Sequence, residues 1–152
     1  LSEEIINKSG LQRYEVSNYC RPGKECRHNL NIWKGATYLG IGPAASSFDG
    51  RIRWTQVRNL HGWIDGDAAE VDEIDQKSRL GEILAFGFRT SAGWQNDELE
   101  SLYGVDVLKL FKAVLSELEQ QGLLEWHEAS LRPTAQGLLF ADTIAEALIF
   151  EG

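Results

Sequence analysis

The chain has 152 residues, 43% of them hydrophobic and 25% charged, which is enough length and apolar content for one or two small folded domains and favours a folded chain over a disordered one. No run of about 18 apolar residues is present to span a bilayer, and no apolar leader with a cleavage site opens the chain, so membrane insertion and secretion both lack a signal. The net charge of −8 is uneven: nine Lys and Arg against five Asp and Glu up to Asn59 give +4, and six against eighteen from Leu60 give −12.

That asymmetry assigns the two parts different work. The positive part suits carboxylates or phosphates, while the acidic part would be repelled by a nucleic-acid backbone, so no nucleic-acid partner is expected. A cytoplasmic location is the default. A chain that opens on Leu1 and contains no methionine is expected to be part of a longer protein.

In chain order, Ser2-Glu3-Glu4 before Ile5-Ile6 predicts an N-cap with acids in the first helical turn, and Lys8-Ser9-Gly10 a stop. A β-type run follows at residues 14–19, then a turn at Arg21-Pro22-Gly23 and a polar segment ending in His28-Asn29-Leu30-Asn31-Ile32-Trp33. A second apolar run, residues 37–41, is stopped by Gly42-Pro43. This helix-to-strand step reads as the last unit of an α/β barrel or open sheet. Asp49-Gly50 is a two-residue turn between arms at 44–48 and 51–57, which predicts a hairpin.

His61-Gly62-Trp63 reads as the start of a short helix and residues 65–75 as an acidic connection, with a domain boundary near residue 70. Helical patterns follow at 77–90, at 96–103 with Asn96 or Asp97 as cap, and at 105–121 with Gly122 as stop. Residues 123–126 and 130–133 predict a hairpin, and 135–150 a closing helix. Helices followed by a hairpin are the order of a winged helix.

The motifs between Tyr14 and Phe48 carry a resemblance. Tyr14-Glu15, the Arg21-Pro22-Gly23 turn, Arg27-His28-Asn29-Leu30-Asn31-Ile32-Trp33 and the Gly40-Ile41-Gly42-Pro43 loop occur in that order. The segment resembles the one that follows the catalytic barrel in oxygen-independent coproporphyrinogen III oxidase-like radical SAM proteins, the haem chaperones included. Gly87-Phe88-Arg89-Thr90, residues 121–124 and Arg132-Pro133-Thr134 extend the likeness, more weakly, toward the end of the chain.

The resemblance implies an α+β chain: the last strands of a radical SAM-type α/β barrel with a β hairpin over residues 1–70, then a helical, winged-helix-like C-terminal domain over 71–152. It implies a parent acting in haem or porphyrin metabolism, by oxidative decarboxylation of coproporphyrinogen III or by haem binding and delivery. The parent would use a [4Fe-4S] cluster and S-adenosylmethionine. Such a cluster needs three cysteines spaced C-x3-C-x2-C, and this chain has only Cys20 and Cys26, so alone it should be inactive. Those two are spaced C-x5-C beside His28, looser than a zinc site usually has and with nothing nearby except His61 to offer a fourth ligand, and no metal is assigned to them.

By the same likeness, His28, Asn29 and Trp33 match the motif associated with haem, an imidazole being a natural axial ligand to haem iron. Ile32 stands where the family usually has an aromatic, and Ser46 where its glycine loop has a histidine. Arg21 and Arg27, with Arg51 and Arg53 further along, are candidates to hold the propionates of a tetrapyrrole. Gly40, Gly42 and Pro43 form a loop expected to face the cofactor, since small residues at a strand end let a ligand approach. The other reading open from the residues is a protein-interaction module of winged-helix type without catalysis.

Overall fold

The computed structural model describes residues 2–150. Helix α1 (Ser2–Lys8) is followed by Gly10 in a left-handed conformation (φ 79°), the stop expected there. The capping expected of Ser2, Glu3 and Glu4 concerns side chains outside those described. Residues 14–19 are not one strand. Strand β1 (Gln12–Arg13) pairs antiparallel with β2 (Tyr19–Cys20), and the chain between them turns back on itself. The turn is built locally: the Glu15 carboxylate accepts from Ser17 N at 2.9 Å, and Tyr14 N donates to Asn18 O at 3.2 Å. Buried Tyr14 and Glu15 bridge instead to residues 89–91, with Val16 N donating to Arg89 O at 2.9 Å and Ser91 N to Tyr14 O at 3.0 Å.

The polar segment holding His28 is a helix, α2 (Arg27–Trp33), rather than a loop. Leu30 and Trp33, three apart, turn to the inner side while Arg27, His28 and Asn31 stay exposed, so an amphipathic spacing is present in a stretch whose polarity masks it. The apolar run 37–41 makes no strand beyond an isolated bridge from Tyr38 to Phe48. Gly40, Gly42 and Pro43 break the ladder, as residues without a Cβ or an N–H do.

The predicted hairpin forms as β3 (Ser46–Phe48) and β4 (Ile52–Thr55), in register Ser47↔Trp54. Its turn is fixed by the Asp49 carboxylate, which accepts from Arg51 N and Ile52 N at 2.9 and 2.7 Å, and by Gly50 at φ 110°. These two backbone bonds hold the Asp49 carboxyl below the ordinary aspartate range. Helix α3 (Leu60–Asp65) is capped by Asn59, whose side chain accepts from Gly62 N. The acidic stretch after it is more than a connection: β5 (Glu70–Glu73) joins the far side of β4, giving sheet order β3-β4-β5. All four of its residues are exposed, which is why its composition reads as a loop.

Helix α4 (Gln76–Gly87) starts at an Asp75 cap that accepts from Lys77 N and Ser78 N. Strand β6 (Trp94–Gln95) leads into α5 (Asn96–Tyr103), whose cap position is Gln95 rather than Asn96 or Asp97 and carries no side-chain cap bond. The single helix expected over 105–121 is two, α6 (Val107–Leu110) and α7 (Lys112–Gln120), broken at Phe111, where φ is −98° and ψ 16°. Strands β7 (Leu124–His127) and β8 (Ser130–Pro133) form the predicted hairpin, and β6 pairs with the other side of β8, giving order β6-β8-β7. The closing helix is likewise two pieces, α8 (Ala135–Leu139) and α9 (Ala141–Phe150), separated at Phe140.

The main buried cluster lies within residues 80–148, with Ile83, Leu84, Trp94, Leu99, Val107 and Ile144 fully enclosed, and Tyr14 and Phe48 are buried outside it. Mixed helices and small antiparallel sheets therefore make up the chain, as expected of an α+β fold. No helix among the described residues is long and apolar enough to cross a membrane.

Candidate functional site

Helix α2 carries the residues of chemical interest, and the C-terminal part holds its far end in place. The Trp33 ring packs on Phe86 of α4 (centroids 6.1 Å apart) and lies under the Arg89 guanidinium at 5.0 Å. Lys34 pairs with Glu98 of α5, Arg79 Nη2 donates to Gly35 O at 2.7 Å, and Tyr103 Oη donates to Lys34 O at 3.5 Å. Burial raises the Tyr103 pKa above its ordinary value, opposed by the nearby Arg79 charge.

The predicted site residues separate onto different sides of this helix. His28 and Arg27 are exposed in the first turn, and Arg21 is exposed in the loop before it. Asn29 is half-buried and accepts from the Cys26 thiol at 3.5 Å. Trp33 follows His28 by five residues, about 140° around the helix, and points inward. The structure thus brings His28, Arg27 and Arg21 to solvent and sets Trp33 into the seam against α4.

The glycine loop rests on β3. Gly40 N donates to the Oγ of fully buried Ser47 at 3.0 Å, and a Cβ at Gly40 would collide with the Ser46 carbonyl. Gly42 (φ 112°) and Ala44 (φ 59°) both take left-handed backbone, unusual for the alanine. Pro43, Leu39 and Ile41 are exposed around them.

The other two arginines considered from the sequence are already engaged. Arg51 lies 3.5 Å from Glu73. Arg53 Nη2 donates to Glu82 Oε2 at 2.7 Å, and the same oxygen lies 3.7 Å from Arg79 Nη1. Burial lowers the pKa of both guanidiniums. For Arg53 the hydrogen bond and charge of Glu82 outweigh that and the net shift is upward, whereas Arg79, farther from Glu82, is left lowered. Phe48 lies against both, its centroid 4.3 Å from Arg79 Cζ and 5.9 Å from Arg53 Cζ.

Phe48, Arg53 and Arg79 wall a cavity of ≈ 250 Å³, together with Ile32, Trp33, Tyr38 and Phe86. Motif reading did not find it, because Arg79, Glu82 and Phe86 lie in a segment with no catalytic signature. The available signal was the spacing of Arg79, Glu82 and Phe86 at three- and four-residue intervals, which puts two charges and a ring on one helix face.

The cysteines do not fit an iron-sulfur cluster. Cys26 occupies the N-cap position of α2 with its thiol turned to Asn29, and half-buried Cys20 has its thiol pKa raised by desolvation and by Glu25. Among the described residues no group of three or more His, Cys, Asp or Glu could hold a metal ion.

Residues 74–140, from α4 to Phe140, match the family model of the HemN C-terminal domain. Over 148 residues the chain is 29% identical to the haem chaperone HemW of Bacillus subtilis, covering 93% of this chain and 39% of that protein. Over 164 residues it is 31% identical to the haem chaperone HemW of Mycobacterium tuberculosis, covering 98% and 38%. The solved coproporphyrinogen III oxidase HemN of Escherichia coli, a radical SAM enzyme, shares the fold with a TM-score of 0.72 at 16% identity, over 99% of this chain and 40% of that one. The chain carries a HemN C-terminal domain and is homologous over nearly its whole length to HemW haem chaperones, of whose length it spans about two fifths.

Proposed function

We propose that this chain is the haem-facing C-terminal part of a radical SAM protein, and that the parent binds and delivers haem. The observation that carries the reading is the placement of His28, an exposed imidazole in the first turn of a helix whose other end is pinned to α4 and α5. An imidazole held this way can serve as an axial ligand to haem iron. Arg27 and Arg21, exposed and without an ion pair among the described residues, supply bidentate donors for propionates. Trp33 braces the helix from behind against Phe86, and Asn29 stands beside His28 in its first turn. The Gly40, Gly42 and Pro43 loop is free to meet the remainder of the parent, where the [4Fe-4S] cluster and S-adenosylmethionine would bind, since the cysteines of this chain do not fit them.

Adding haemin to the chain should give a Soret band of a histidine-ligated complex. His28→Ala should lose that signature and bind at least about tenfold more weakly, a difference of roughly 1.4 kcal/mol. His61 and His127 are equally exposed, so their alanine variants control for adventitious surface ligation. An unchanged spectrum and affinity in His28→Ala would refute the assignment. The likeness to haem chaperones extends over nearly the whole chain, which leaves a free-standing, non-catalytic interaction module with less support.

We further propose that residues 1–70 complete an α/β barrel and that 71–152 form a winged-helix-like domain in the cytoplasmic parent. The support is that the main cluster of buried hydrophobic residues lies within residues 80–148 and that β6 adds to the β7-β8 hairpin. Limited proteolysis should nick first within residues 66–69, the turn between α3 and β5, and leave a resistant C-terminal piece. First cleavage inside residues 80–148 would contradict the division.

A further inference from the structure

The cavity between α2, the β3-β4 hairpin and α4 is not explained by the placement of His28. Its walls are the rings of Trp33, Tyr38, Phe48 and Phe86 and the guanidiniums of Arg53 and Arg79. An apolar cavity of about 150 Å³ already admits a benzene ring, so ≈ 250 Å³ leaves room for one ring and a small substituent.

Two features decide what the substituent is. The first is charge. Two half-buried guanidiniums share one half-buried carboxylate, Glu82, and Arg53 Nη1 has a second, looser partner in the exposed Asp72, 3.9 Å away. Both arginines line the cavity and neither acid does, so its walls present cationic side chains in a partly enclosed place, where an anion would be held more strongly than in water. The second is a missing acceptor. Trp33 Nε1 is buried and has no hydrogen-bond partner among the described residues. A buried N–H left without an acceptor is a cost that a ligand oxygen would remove.

We propose that this cavity is a binding site for a planar carboxylate of single-ring size, its ring stacked among the four aromatic side chains and its carboxylate facing the Arg53–Arg79 pair. The site does not use His28. If the haem reading is right, a propionate-bearing edge of the tetrapyrrole belongs to the same chemical class. The carboxylate site does not depend on that reading.

The test is a titration of the 15N-labelled chain with benzoate, followed by the indole N–H resonance of Trp33, which is assigned by its disappearance in Trp33→Phe. Benzoate should shift that resonance together with the amides of Gly35 and Tyr38. Benzamide, of the same shape but neutral, should bind about tenfold more weakly, the usual difference between a charged and a neutral hydrogen-bonding partner. Arg53→Lys, which keeps the charge and loses the fork, should weaken benzoate and leave benzamide unchanged. His28→Ala should leave benzoate binding intact, so failure of the haem ligand and failure of this site are separately visible. Absence of a shift at Trp33 with benzoate, or equal binding of benzamide and benzoate by the wild-type chain, would overturn the proposal whether or not Arg53→Lys folds.

Discussion

Replacing Gly87 by alanine is expected to destabilise the chain by roughly 2 kcal/mol or more, although alanine is the better helix former by about 1 kcal/mol. Gly87 is the last residue of α4 and is buried, and a Cβ there would fall inside contact distance of the Trp94 indole. That indole cannot retreat. It is fully enclosed and its Nε1 donates to Ile83 O at 3.1 Å, so shifting it would break a buried hydrogen bond as well as packing. For a chain of this length the loss corresponds to a fall in Tm of about 4 °C or more, measurable by calorimetry. Gly66→Ala offers the contrast, because its left-handed backbone penalises a side chain but nothing lies within 4 Å of the new atom. If Gly87→Ala matched or exceeded the wild-type Tm, the close packing of α4 on Trp94 would be wrong.

Glu82→Gln should cost about 3 kcal/mol, with a similar-sized side chain, because it removes the charge and not the shape. Glu82 is the acid shared by Arg53 and Arg79, with only 14% of its side chain exposed against 27% and 13% for the two arginines. Neutralising it leaves two cations facing each other across the seam between β4 and α4. The exposure of Arg53 softens the penalty, since water reaches part of its guanidinium. A double-mutant cycle with Arg53→Gln should show coupling of about 1 kcal/mol or more, as expected of groups in one network. Denaturant unfolding in which Glu82→Gln lies within about 0.5 kcal/mol of wild type, the range of an ordinary surface change, would show that the triad does not bind the seam.

Both experiments probe features that no local pattern announces, and the contrast with what was legible is instructive. The Asp49-Gly50 hairpin, the 130–133 hairpin arm, α4 and α5 follow from turn chemistry and apolar spacing within a few residues, because the groups that stabilise them are neighbours in the chain. The ordered motifs from Tyr14 to Phe48 likewise point to the family without any coordinates.

Elsewhere the deciding partner is distant. Residues 14–16 look like a free strand and instead bridge to residues 89–91, a pairing only the folded chain supplies. The acidic residues of β5 have weak intrinsic strand preference, and it is the edge of β4 that orders them. Phe111 and Phe140 interrupt helices whose spacing reads as continuous.

The site divides in the same way. Sequence alone named His28, Arg21, Arg27 and the Gly40-Gly42-Pro43 loop, because motif identity survives without geometry. It grouped Trp33 with His28, but helical winding turns the two to different sides. It offered Arg53 for a ligand's carboxylate but not Arg79, which the tertiary structure sets beside Arg53 across Glu82. Sequence fixes which charges and rings exist; only the packing of α2 and the hairpin on α4, made of contacts some thirty to sixty residues apart, decides which of them meet.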